Sequence, residues 1–393
     1  MPNRWLILFV LTLARVTMGF QFQSLAAVGS ALTAETAITY TALGALMGIY
    51  LLPGALFAIP SGWLGKRFGD KRLVMIGLAM MTSGGALLTT SQVYEVIFAG
   101  RLISGAGAVL LNVLVTKMVT DWFADRGIVT AMGILISSWP LGIAIALMTM
   151  GPLTELAGLA WAFAIPVALC ALALILVAIV YTSPEDMQIN GCNVKEKSVQ
   201  GLSPFEFRGV VLSGCVWCFY NIAFILPLSF GPEFLTTQGL SLAAAGAIVS
   251  LTSWLIIPAL PMGARLAEQI GHPVTIMVVS FVAIAIVIWI IPLTSSYVLM
   301  FAILGLIFGP AGGLIMALPT QVLSNENRAV GMGIFFTVYY IGMGIIPAVA
   351  GYIRDVSGNP AAPLWFAGSM ILVALLSLIG FRILSIRHLG HSQ

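Results

Sequence analysis

Apolar positions gather into runs of about 20 residues, each bounded by charges or by Gly, Pro and Asn turn signals. That is the length at which a helix crosses a hydrocarbon core about 30 Å thick. Twelve such runs are predicted, near 5–30, 38–63, 73–91, 93–120, 127–151, 159–181, 209–230, 240–264, 273–293, 296–322, 329–353 and 363–385. The long polar segment Ser183 to Arg208 interrupts the series after the sixth run. The pattern predicts an all-α membrane protein of two six-helix halves, residues 1–182 and 209–393, joined by the linker 183–208.

Composition points the same way, with 60% hydrophobic and 8% charged residues and a mean hydropathy of +1.06. A soluble domain carries about 25% charged residues. The first run, from Trp5, is long enough to span and lacks a small-residue cleavage site, so it is expected to stay as the first helix. Charge then orients the chain. Arg4, Lys66, Arg67, Lys71, Arg72, Arg126, Lys195, Lys197, Arg208, Arg265, Arg328, Arg382 and Arg387 fall on one side, and Arg354 alone on the other. Basic loops stay cytoplasmic, which places both termini and the linker there. The same bias accounts for the net charge of +3 without a nucleic-acid partner.

The loop after the second run, Gly62-Trp63-Leu64-Gly65-Lys66-Arg67-Phe68-Gly69-Asp70-Lys71-Arg72, concentrates the chain's scarce charges. A degenerate copy follows, in which Leu64 and Gly69 map onto Leu266 and Gly271 at an offset of 202. Arg126 and Arg328, each ahead of a helix, share that offset, and a duplicated half follows. The loop resembles the one between helices 2 and 3 of the major facilitator superfamily; Gly100-Arg101 to Gly107 and Trp139 to Gly142 are weaker resemblances. The resemblance implies two pseudo-twofold-related bundles with a mid-depth solute site and alternating access. It also implies cavity-lining by helices 1, 4, 7 and 10 and gating by 2, 5, 8 and 11. Gly62, Lys66, Arg67 and Gly69 would then gate the cytoplasmic side with Glu268 and Glu326. Lys66 departs from the family pattern, which has an acid at that position; Glu268 keeps the acid in the second copy. A reversed lock, Lys66 to Glu326, and an ordinary one, Glu268 to Arg126, are expected.

Three basic residues, Arg15, Arg101 and Lys117, lie within the runs, and every Asp and Glu maps to a loop or run end. A charge inside the membrane costs a few kcal/mol on the mildest scale and by default marks a pathway or a site. Arg15 lies roughly 15 Å, and Arg101 roughly 12 Å, from the start of its helix, both near mid-depth. Guanidiniums without a fixed carboxylate suit a bidentately held anion. In the resembled family an arginine at the position of Arg101 instead bonds the backbone of helix 1, so a structural role stays open. Lys117 is expected to snorkel and pair with Asp121. Asn112, Trp139, Trp217, Tyr220, Asn221 and Tyr340 are expected to complete the substrate site with Arg15 and Arg101.

His272, His388 and His391 fall in a loop and the tail, and no G-x-x-x-x-G-K-[ST] stretch occurs. Neither a metal, a cofactor nor an enzymatic activity is therefore expected. Cys215-Val-Trp-Cys218 has redox spacing but sits in an apolar run, as packing residues do. The expected function is transport of a small anion, an organic carboxylate, by a monomer in a bacterial-type inner membrane. Efflux of drugs or neutral metabolites, and a transport-inactive sensor or scaffold, remain open alternatives.

Overall fold

The second run is where the chain breaks. In the computed structural model, which describes residues 3–124, 126–182, 202–324 and 326–391, it becomes α3 (Tyr40–Gly48) and α4 (Gly54–Phe68). Side chains at 58–63, 66, 264, 329 and 387–391 are outside the description. Pro53, which cannot donate a backbone hydrogen bond, closes the turn between the two helices. The first run likewise divides at Val28 into α1 (Arg4–Ala27) and α2 (Gly29–Thr36).

The first half continues with α5 (Asp70–Thr90), α6 (Tyr94–Phe123), α7 (Ile128–Ala157) and α8 (Leu159–Val180). The second comprises α9 (Pro204–Thr237), α10 (Leu242–Ile270), α11 (Pro273–Ile290), α12 (Tyr297–Met316), α13 (Arg328–Ser357) and α14 (Ala362–His391). Among the described residues, 11 helices are long and apolar enough to cross a membrane. The protein is an all-α, multi-pass membrane protein.

Helix packing repeats from half to half. α1 packs on α7 and α8, as α9 does on α13 and α14; α5 packs on α6 and α8, as α11 does on α12 and α14. Positive backbone φ angles repeat too, at Gly69 (87°) and Gly271 (72°), and at Ala37 (54°) and Gly239 (92°). Both pairs keep the 202-residue offset read from the sequence. Phe230, Phe281, Phe301, Phe308, Phe335 and Phe381 are fully buried between helices. Leu156, Ile179 and Leu376 lie exposed on the outer surface, where a bilayer rather than water suits them.

α9 departs from expectation at both ends. Ser203 caps it through a reciprocal pair with Glu206, and Pro204 takes the first turn, so the helix starts inside the expected linker. The remainder of that linker, 183–201, lies outside the described residues. At the other end α9 runs through Pro232 to Thr237, which carries Glu233 out of its expected loop and into a buried helical position. Not every acid, therefore, stands at a loop edge.

We call the end of the bundle holding Arg4, Tyr181 and Ser203 the linker side and the opposite end the far side. On the far side the halves meet closely. A Cβ on Gly44, Gly48 or Gly351 would fall well inside 3.0 Å of Pro347, Gly344 or Tyr40 backbone, so α3 and α13 touch main chain to main chain. Asp355, at the end of α13, accepts from the N–H groups of Tyr40 (2.9 Å) and Thr41 (2.8 Å), satisfying the start of α3. In the repeat, Glu155 at the end of α7 accepts from Ala243 N–H at the start of α10 (3.2 Å).

Candidate functional site

α1 and α7 cross at two glycines: a Cβ on Gly19 would meet the Trp139 carbonyl, and one on Gly142 the Val16 carbonyl. This approach carries Arg15 to α7, where its Nη1 donates to the Leu135 carbonyl at 2.6 Å. Its Nε donates to Oδ1 of Asn112 on α6 at 2.9 Å. Asn112 also faces the Tyr340 hydroxyl, and Tyr339 and Tyr340 of α13 lie near the guanidinium. The structure thus brings Arg15, Asn112 and Tyr340 together at the boundary between the halves.

Two features give this cluster its chemistry. Arg15 stays partly exposed, and its Nη2 donates to no described residue. Among the described residues no carboxylate lies within ion-pairing distance of it either. An arginine so held is rigid, charged and unneutralised, and two of its N–H groups are open to an acceptor.

Trp139 lies one turn beyond Leu135 on α7 and packs on Phe22 at 5.2 Å between ring centroids. Trp217 of α9 joins through Tyr339 at 6.3 Å, and stacks on Tyr220 at 5.8 Å. Tyr220 turns its hydroxyl to the Phe308 carbonyl (2.6 Å), and Asn221 turns its amide to the Trp217 carbonyl on its own helix (2.7 Å). Both are packed into the wall with those donors already used.

Arg101 does not belong to the cluster. It is buried to 1% exposure, and its Nε, Nη1 and Nη2 donate to the carbonyls of Leu46, Gln21 and Phe22 at 3.0, 2.8 and 3.2 Å. Its guanidinium also lies over the Tyr50 ring, 4.4 Å from the centroid. The pair of guanidiniums expected in one cavity is therefore a single one, because Arg101 is spent on tying the end of α3 to α1. Lys117 is neutralised by an acid that proximity in sequence does not suggest: Nζ sits 2.5 Å from Asp70 at the head of α5 and 3.9 Å from Asp121.

The expected gate residues are placed less completely. Gly62, Lys66 and Arg67 lie in α4 and Gly69 ends it; the side chain of Lys66 is outside the description, so the lock to Glu326 is too. Arg67 lies 5.4 Å from the Phe68 ring centroid, and Glu326 is exposed before α13. Glu268 is exposed on α10 and is not brought to Arg126, so that second lock is not made here.

Sequence reasoning missed the Leu135 carbonyl, which leaves no trace in residue type. It also missed the pair of Arg354 with Glu233, whose Oε1 accepts from Nε at 3.0 Å and Nη2 at 2.8 Å. A signal existed: Arg354 is the sole cation assigned to its side, and a lone cation there invites a search for its acid. The role of Gln23 was missed as well. Pro232 has no N–H to offer the Leu228 carbonyl four residues before it, and Gln23 donates to that carbonyl from α1 at 2.9 Å.

The family model of the Major Facilitator Superfamily matches residues 11–347, with a second match over 212–388. The hexuronate transporter of Bacillus subtilis is 21% identical over 374 residues, covering 88% of this chain and 87% of that one. A putative tartrate transporter of Agrobacterium vitis is 23% identical over 411 residues, covering 96% and 92%. Among solved structures, the inward-open xylose transporter XylE of E. coli superposes with a TM-score of 0.77 at 15% identity, over 95% of this chain and 96% of that one.

Proposed function

The chain belongs to the Major Facilitator Superfamily, and from that premise we propose that it carries a small organic anion, a carboxylate, past Arg15. It is a transporter and not an enzyme. The carrier is read as two six-helix bundles of twelve crossings, with α3 and α4 together making the second, in a bacterial-type inner membrane. The linker side is cytoplasmic, and the carrier works as a monomer.

One observation carries the anionic reading: a mid-membrane guanidinium has two N–H groups on Nη2 unused and no carboxylate against it. A substrate carboxylate supplies both the missing charge and the missing acceptors. The names of the hexuronate and tartrate transporters, both relatives along most of the chain, are of carboxylates and favour the same reading. The closed far side, with the pairing of Glu268 and Arg126 absent on the linker side, supports an inward-open state in which cytoplasmic solute reaches Arg15.

Uptake into proteoliposomes tests the reading. Arg15→Gln should abolish carboxylate transport while the protein still inserts and purifies. Arg15→Lys keeps the charge but loses the planar fork and the Nε bond to Asn112. Hydrogen bonds to charged groups are worth about 1.5–3 kcal/mol, so affinity should fall roughly 10- to 100-fold. Wild-type uptake by Arg15→Gln would overturn the proposal.

A further inference from the structure

Three of the polar side chains around Arg15 spend a donor or acceptor within the protein, and the wall beside them is aromatic. Asn112 is taken by Arg15 and faces Tyr340, Asn221 bonds its own helix, and Tyr220 bonds the Phe308 carbonyl. Tyr339 and Tyr340 lie near the guanidinium, 5.0 Å apart, and the partly exposed rings of Trp217 and Phe336 pack on them at 6.3 and 6.5 Å. Lys117, on α6, is neutralised by Asp70.

From this arrangement we infer that the substrate is a monocarboxylate with a flat, apolar and aromatic body, rather than a polyhydroxylated sugar acid or a dicarboxylate. The inference rests on the anionic reading above and narrows it. One free guanidinium edge balances one negative charge; a second carboxylate would enter the membrane without a cation to meet it. Each substrate hydroxyl would leave water for a wall with few open polar groups, because Tyr220 and Asn221 already donate to backbone carbonyls and the Asn112 side-chain oxygen is taken by Arg15. An unmade buried hydrogen bond costs about 1–3 kcal/mol. A ring, by contrast, finds faces and edges to pack on, which polar commitments do not diminish. The site thus favours a body unlike those named for the two carboxylate relatives.

The test compares benzoate, benzamide, D-glucuronate and tartrate as stabilisers of the purified wild-type protein in thermal unfolding, and as competitors in a transport assay. A ligand that binds only the native state raises its apparent stability. Benzoate is expected to act at about tenfold or more lower concentration than glucuronate or tartrate, with benzamide weak. Trp217→Leu is expected to reduce the benzoate shift in a variant that still purifies as a monodisperse species. Glucuronate or tartrate matching or exceeding benzoate would overturn this inference and leave the anionic reading standing. Benzamide matching benzoate would overturn both, because charge would then not matter. No effect from any of the four would also overturn the inference of an aromatic acid.

Discussion

Arg15 and Arg101 show how differently one side chain can be used at similar depth. Arg101 gives three N–H groups to backbone carbonyls of α1 and α3 and is sealed at 1% exposure. Arg15 gives Nε and Nη1 to Asn112 and Leu135 and keeps Nη2. Substitution should separate the two roles. Arg101→Gln strands buried carbonyls of Leu46, Gln21 and Phe22, and losing charge-assisted bonds of that kind should cost about 3 kcal/mol or more in stability. Thermal unfolding in detergent should show a lower midpoint and a poorer yield for Arg101→Gln, with or without ligand. Arg15→Gln should keep a near-normal midpoint and lose the ligand-induced shift. A charge inside an apolar run is visible in sequence, so both residues stood out there. What distinguishes them is the position of carbonyls on other helices, and residue type holds no record of that.

At the scale of helices, the informative parts are their ends. Asp355 caps α3 across the boundary between the halves, and Glu155 caps α10 in the repeat. Such a contact biases an equilibrium only by the difference between states, and opening the far side removes it. A capping anion is worth about 0.5–2 kcal/mol. Asp355→Ala should then raise the population open on the far side by roughly two- to thirtyfold. Spin-label distances between the far-side ends of α3 and α13 should lengthen or broaden; an unchanged distribution would refute the role. Most helices were legible from apolar periodicity, whose ends were off by a few residues. α9 was misjudged further because hydropathy stops at Phe230, whereas the helix continues where Arg354 neutralises Glu233. A partner from another helix decided where that element ended.

For the whole molecule, the repeat was the most legible property, since the 202-residue offset survives in both sequence and backbone angles. The conformational state was not legible, because which face is closed is set by contacts between helices and not by residue type. The far-side seam is built on main chain: Gly44 and Gly48 lie against Pro347 and Gly344, and Gly351 against Tyr40. Gly351→Ala has no room for its Cβ there, so the seam should part. Cysteine probes placed along it should become more reactive to membrane-impermeant reagents from that side, while Gly313→Ala, with open space around it, serves as the control. The same construction bears on heredity. Asp355 grips amide N–H groups and the Thr41 hydroxyl, so reversing the charge of a partner residue cannot restore a lost cap. Revertants of Asp355→Ala selected for growth on the transported solute should therefore map mainly to the opposite face, where loosening a second closure rebalances the two states. Revertants of a charge reversal at Glu233 should instead include Arg354 itself.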